Sequence, residues 1–174
     1  MRLTGSDDRD RRYVTPLGAP DPARVAAFWQ RFTASEGIDP APEQPVAGCF
    51  GDTVELADEL IELVLEGTKR ATADAVAERA DRGEPMPRPG DLWIATDGAL
   101  RPRAVLETTD VRIGPLSSVD DGFAWDEGEG DRTRDWWLDA HTWYFGRVFV
   151  RAGRDFHPEI PVVFERFVVR YQET

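Results

Sequence analysis

Apolar residues recur along this chain with two different periods, and the change from one to the other divides it. Val25, Phe28, Trp29 and Phe32 stand at three- and four-residue steps, the spacing of one helix face. Asp21 can cap the free N–H groups ahead of them, Pro22 suits a first helical position, and Gly37 stops the run, so a helix is predicted from Asp21-Pro22. The proline-rich stretch Asp39 to Pro45 reads as a loop. From Asp52 the helical spacing returns more strongly in Leu56, Ala57, Leu60, Ile61 and Val64, until Gly67 ends it. Ala75 to Ala80 is predicted as a short helical piece, whereas Gly83 to Gly90, with Pro85, Pro87 and Pro89, excludes regular structure.

Beyond that point the period shortens to two. Leu92 to Ala95 reads as a strand leading to a turn at Asp97-Gly98, and Arg103 to Ile113 as a long strand with one solvated face, so the two form a predicted hairpin. Ser117 is placed as the cap of a short acidic helix. Thr133 to Val150 is predicted as the most aromatic helix, with Trp137, His141, Tyr144, Phe145 and Val148 along one stripe, and Pro161 to Tyr171 as a closing strand. There is no βαβ rhythm, no glycine-rich loop after a strand and no internal repeat, so the class is α+β with a mixed, mostly antiparallel sheet or small barrel.

The length of 174 residues fits a single domain over residues 21–174, with residues 1–20 read as a solvated tail because Asp7 to Arg12 are all charged and Pro16 and Pro20 follow. Charge narrows the function. With 21 basic and 33 acidic side chains the net charge is −12, which repels polyanions at long range and excludes coating of duplex DNA. No apolar stretch reaches the roughly 18 residues of a membrane span or resembles a signal peptide. The single Cys49 forms no internal disulfide, and the reducing cytoplasm is the expected compartment.

Of the 21 basic residues, 20 are Arg and one is Lys69. Guanidinium stays charged, whereas a desolvated amine can lose its proton, so a general base or nucleophile has to be the lysine. Lys69 follows the Gly67 helix stop, and Thr72 places a hydroxyl three residues on. On a turn the two share a face; on a strand they alternate to opposite faces, and spacing alone leaves both open. Between Ser117 and Asp131 stand Asp120, Asp121, Asp126, Glu127, Glu129 and Asp131. Crowded carboxyls raise one another's pKa, so one of them can hold a proton near neutrality, although carboxylates beside Lys69 would stabilise its charged form. Desolvation by Trp93 or Trp125 would have to overcome that. His141 reads as a hydrogen-bonded packing residue, and two distant histidines supply no metal site.

The run Leu60 to Ala73, then Pro89-Gly90-Asp91-Leu92-Trp93, Thr96-Asp97-Gly98, Phe123 to Asp131, a helix ending near Phe145, and Pro161 to Phe167 together resemble the ASCH-domain family, in order across most of residues 24–171. The resemblance implies a PUA-like fold, a small β-barrel with flanking helices around a cleft, and RNA or nucleoside chemistry. Small members with the same Gly-x-Lys-x-x-Thr motif hydrolyse the amide of N4-acetylcytidine; longer members, nearer in layout to this chain, are described as ribonucleases. By position, the resemblance makes Lys69 the proton acceptor, Thr72 the nucleophile and Glu127 the proton donor, with Glu129 able to exchange with Glu127. Arg70, Trp93 and Trp125 are the expected substrate-binding residues. Where many small members carry Arg two residues after Thr72, this chain has Asp74, and Arg70, Arg79 and Arg103 are the candidates to replace that charge. The leading expectation is therefore an amidohydrolase of N4-acylated cytosine nucleosides without a cofactor. The alternatives are a ribonuclease on single-stranded RNA, with a divalent metal on the acidic run, and a non-catalytic module that binds RNA or a nucleotide.

Overall fold

A computed structural model describes residues 17–39 and 42–173, so most of the tail read over residues 1–20, and part of the loop read at Asp39 to Pro45, lie outside the described residues. Among the described residues the chain gathers into two compact units, 17–65, 92–106 and 169–173 in the first and 66–91 and 107–168 in the second. The strands β1 (Ala47–Cys49), β2 (Ala71–Ala75), β3 (Leu92–Thr96), β4 (Pro102–Pro115) and β5 (Pro161–Gln172) are hydrogen-bonded in the order β1-β3-β4-β5-β2. β1 runs parallel to β3 and β2 antiparallel to β5, so the sheet is mixed and the class is α+β.

In the first unit, helix α1 (Pro22–Ser35) begins as predicted, with the Asp21 carboxylate accepting from the Ala23 N–H at 2.9 Å. Its buried face, Val25, Phe28, Trp29 and Phe32, packs on Ile94 of β3 and Val105 of β4. Helix α2 (Val54–Leu65) is capped by Thr53, whose hydroxyl accepts from the Leu56 N–H at 3.2 Å, rather than opened at Asp52. The hairpin turn between β3 and β4 is closed by Asp97, which accepts from the N–H groups of Ala99 and Arg101 at 3.0 and 2.9 Å. Strand β1 was not predicted: its three residues, Ala-Gly-Cys, carry no β-branched or aromatic side chain to announce it.

In the second unit, β2 leads directly into helix α3 (Val76–Arg82). Leu116–Ser118 form a single 3-10 turn, and the acidic helix α4 (Asp121–Glu127) follows it. Its cap is Asp120, accepting from the Phe123 N–H at 2.8 Å, and not Ser117, because the intervening turn displaces the helix start by three residues. Helix α5 (Arg134–Arg151) is capped by Thr133 and buries Trp137, Phe145 and Phe149. These residues join Leu116, Phe123, Ile160, Val162, Phe164 and the β2 alanines Ala71 and Ala75 in the core of this unit. Among the described residues no helix is long and apolar enough to cross a membrane.

Candidate functional site

The second unit brings Lys69 and the acidic segment together. Lys69 lies in the short irregular link between α2 and β2, and it is 1% exposed. Its ammonium donates to Glu129 Oε1 at 2.6 Å and stands 3.7 Å from Glu127 Oε2. Two glycines make this possible. Gly128 ends α4 with φ +73°, and a Cβ there would sit 2.5 Å from the Thr68 carbonyl, so only glycine lets the helix end meet the Lys69 link this closely. Gly130, at φ +55°, lies against the Trp136 ring with equally little room. The Arg70 N–H donates to the Asp126 carbonyl at 2.7 Å, which ties the same two segments backbone to backbone.

His141 of α5 completes the cluster, with Nε2 3.4 Å from Glu127 Oε2. Its ring stacks on Trp137 at 3.7 Å, and Nδ1 is 3.0 Å from the Trp137 carbonyl. Burial drives the pKa values apart. It pushes Glu127 up to about 8, with Lys69 pulling the other way and losing. It also works against charge on Glu129, but there Lys69 wins and the carboxyl is held below its usual range. Burial lowers His141 to about 4. Lys69 feels the same penalty, which the two carboxylates outweigh, so its pKa stands above the ordinary lysine value. At neutral pH the group therefore consists of an ammonium, one carboxylate, one carboxylic acid and a neutral imidazole, with no net charge.

The remaining predicted residues are placed as follows. Thr72 lies on β2 opposite Glu165 of β5, on the strand face that also carries Asp74. Alternation puts it on the face opposite to Ala71 and Ala75, which point into the core. Arg70 pairs with Asp126 at 2.8 Å, and Arg166 holds the other oxygen of that carboxylate at 2.9 Å. Trp125 is 54% exposed, and the Arg132 guanidinium stacks 3.7 Å from its ring centre while donating to the Trp125 carbonyl. Trp93 belongs to the first unit, half-buried and edge-on to Phe50 at 5.0 Å. Of the arginines named to replace the charge at position 74, Arg79 pairs with Asp74 itself at 3.4 Å, whereas Arg103 is in the first unit with Glu62 and Asp97. His141 was missed as a member of the cluster, because a histidine on an apolar helix stripe carries no sign of which polar group it will meet.

The family model for the ASCH domain matches residues 46–171, across both units. The chain belongs to the ASCH-domain family. Among solved structures, this ASCH domain is similar to protein EF3133 from Enterococcus faecalis V583, at 31% identity over 84% of this chain and 88% of that one, with a TM-score of 0.77. It is similar also to an ASCH domain from Lactobacillus crispatus JV V101, at 27% identity over 92% of this chain and 99% of that one, again with a TM-score of 0.77. No curated protein matches the sequence. The fold is thus the α+β, PUA-like one that the resemblance implied.

Proposed function

We propose that this ASCH domain is an amidohydrolase of N4-acylated cytosine nucleosides, with N4-acetylcytidine as the type substrate. The observation that supports the reading is geometric: Glu127, 1% exposed, shares the single Lys69 ammonium with Glu129, so the charges balance only with a proton on one carboxyl. A carboxyl pushed to about 8 and packed within 3.7 Å of an ammonium is an acid still loaded at neutral pH, which is what expulsion of a poor amine leaving group requires. Thr72 is the proposed nucleophile, a role that rests on the family motif Gly67 to Thr72 alone, since strand alternation turns this side chain to the face opposite Ala71 and Ala75. Lys69 begins the cycle charged, so it acts as proton acceptor only after passing its own proton along the 2.6 Å contact to Glu129. It then takes the Thr72 proton as that oxygen bonds to the acyl carbon, while Glu127 protonates the departing cytosine amine. The cluster stays neutral throughout, because Glu129 ends with a proton and Glu127 without one. Water next attacks the ester and gives its proton to Glu127; Lys69 returns one to the Thr72 oxygen and recovers its own from Glu129.

A net charge of −12 favours a small nucleoside over a long RNA, whose phosphates meet that field along their whole length. The test is incubation with N4-acetylcytidine, with cytidine followed by chromatography. Turnover is expected, and a fall of about 100-fold or more in kcat for Glu127→Gln, the usual scale of a lost general acid. Cytidine release no greater than that of Lys69→Arg would overturn the reading. So would cleavage of labelled single-stranded RNA, with magnesium or manganese, in place of cytidine release.

A further inference from the structure

His141 stands four residues after Trp137 on α5, so its ring lies over that indole and its Nδ1 reaches the Trp137 carbonyl, 3.0 Å away. A carbonyl oxygen only accepts, so Nδ1 carries the hydrogen. In the neutral imidazole this leaves Nε2 with a lone pair and no proton. That nitrogen stands 3.4 Å from Glu127 Oε2. Two acceptors held face to face in a buried site repel each other, unless one of them brings a proton. Glu129 also approaches Glu127, but its Oε1 is taken by the Lys69 ammonium at 2.6 Å, and the Trp137 indole can only donate, so Nε2 of His141 is the neutral acceptor beside this carboxyl.

We propose that His141 is a positioning residue: its Nε2 accepts the carboxyl proton of Glu127, keeping that side chain in the acid form and aiming it. At 3.4 Å the two atoms are adjacent but not in hydrogen-bonding geometry, so the pair needs to turn and to close by a few tenths of an ångström. The other charged groups facing Glu127 are Lys69, from the link before β2, and Glu129, two residues beyond it. Lys69 neutralises Glu129 at 2.6 Å, which leaves Glu127 without a full counter-charge of its own. His141 thus fills the position of a base toward Glu127, with its tautomer set by the helix backbone.

The proposal rests on the reading of Glu127 as proton donor, but its test needs no substrate. His141 and His157 are the two histidines of the chain, so nitrogen NMR of histidine-labelled protein resolves them. One ring is expected to remain in the Nδ1–H tautomer, neutral down to about pH 5. Carbon NMR of labelled glutamate side chains is expected to show one carboxyl titrating near 8. In His141→Leu that midpoint should fall by about one pH unit or more, and His141→Gln, whose amide oxygen can accept in place of Nε2, should restore part of it. An Nε2–H tautomer in the unaltered protein, which requires no variant to fold, would overturn the proposal. So would a midpoint unmoved in a folded His141→Leu. Should N4-acetylcytidine be turned over, His141→Leu is expected to lower kcat more than it changes KM and to move the alkaline limb of the pH profile toward lower pH. Should the spectra appear as expected with no turnover, the hydrolase reading falls and the proton pair stands.

Discussion

Two groups of charged side chains, both in the second unit, resolve the same difficulty in different ways. At α3, the Arg79 and Arg82 guanidiniums meet the carboxylates of Asp74 and Glu84, with Arg82 on Glu84 through both forks at 2.9 and 3.0 Å. Two positive charges meet two negative ones, and water reaches all four side chains to some degree. Around Lys69 one ammonium meets two carboxyls, and both it and Glu127 are 1% exposed. There the charges balance only if one carboxyl keeps its proton. The first group is what an ion network looks like when it serves the fold; the second stores a proton, and storage of that kind has a use in chemistry.

Removing one basic side chain from each group separates them most sharply. Lys69→Met leaves Glu129, 16% exposed, without its partner beside a closed site, and the expected loss is about 3 kcal/mol, the lower end of the scale for breaking one side of a buried pair. Urea unfolding at neutral pH measures it. A loss below about 1 kcal/mol would mean that Lys69 is held no more tightly than a surface ion.

Lys69 could be found in the sequence because 20 arginines surround one lysine, and Glu127 because a motif singled it out from six acidic residues. Their meeting could not. Nothing in the interval from residue 69 to residue 129 says that an αL glycine at 128 will press the end of α4 against Thr68. Helices were readable where caps and apolar faces agree, as at Asp21 and Thr133. Strand β2 was left open because Ala-Thr-Ala-Asp-Ala carries almost no strand propensity, and its pairing with β5 decides it. That strand puts Thr72 in register with Glu165, the alternative that spacing alone had left undecided.

A second way to sharpen the contrast is pH. A carboxyl raised from 4.5 to about 8 on folding stabilises the protein fully below its unfolded value, and that contribution is lost as pH rises toward 8. His141, lowered from 6.5 to about 4, acts in the opposite sense: its contribution is complete above 6.5 and is lost as pH falls toward 4. Between pH 6.5 and 8 only Glu127 of this cluster therefore changes stability. The slope is expected to be downward with rising pH, by at most about 1.4 kcal/mol per pH unit for one proton. Glu127→Gln should flatten it, as read from unfolding midpoints across that window. An equal slope in the variant would place the retained proton elsewhere.

The smallest effect belongs to the balanced group. Arg82 is 43% exposed and touches both Asp74 and Glu84, yet Arg79 remains beside Asp74 when Arg82 is cut away. Water then solvates what is left, so Arg82→Ala should cost no more than about 1 kcal/mol, and less at high ionic strength where exposed charges are screened. Lys69→Met should keep most of its cost in the same salt series, since Lys69 and Glu127 are closed to water and Glu129 is only 16% exposed. Unfolding of the two variants in low and high salt measures both trends. If the Lys69 variant recovers with salt as the Arg82 variant does, the two groups are alike in kind, and the proton held near Lys69 has lost its physical basis.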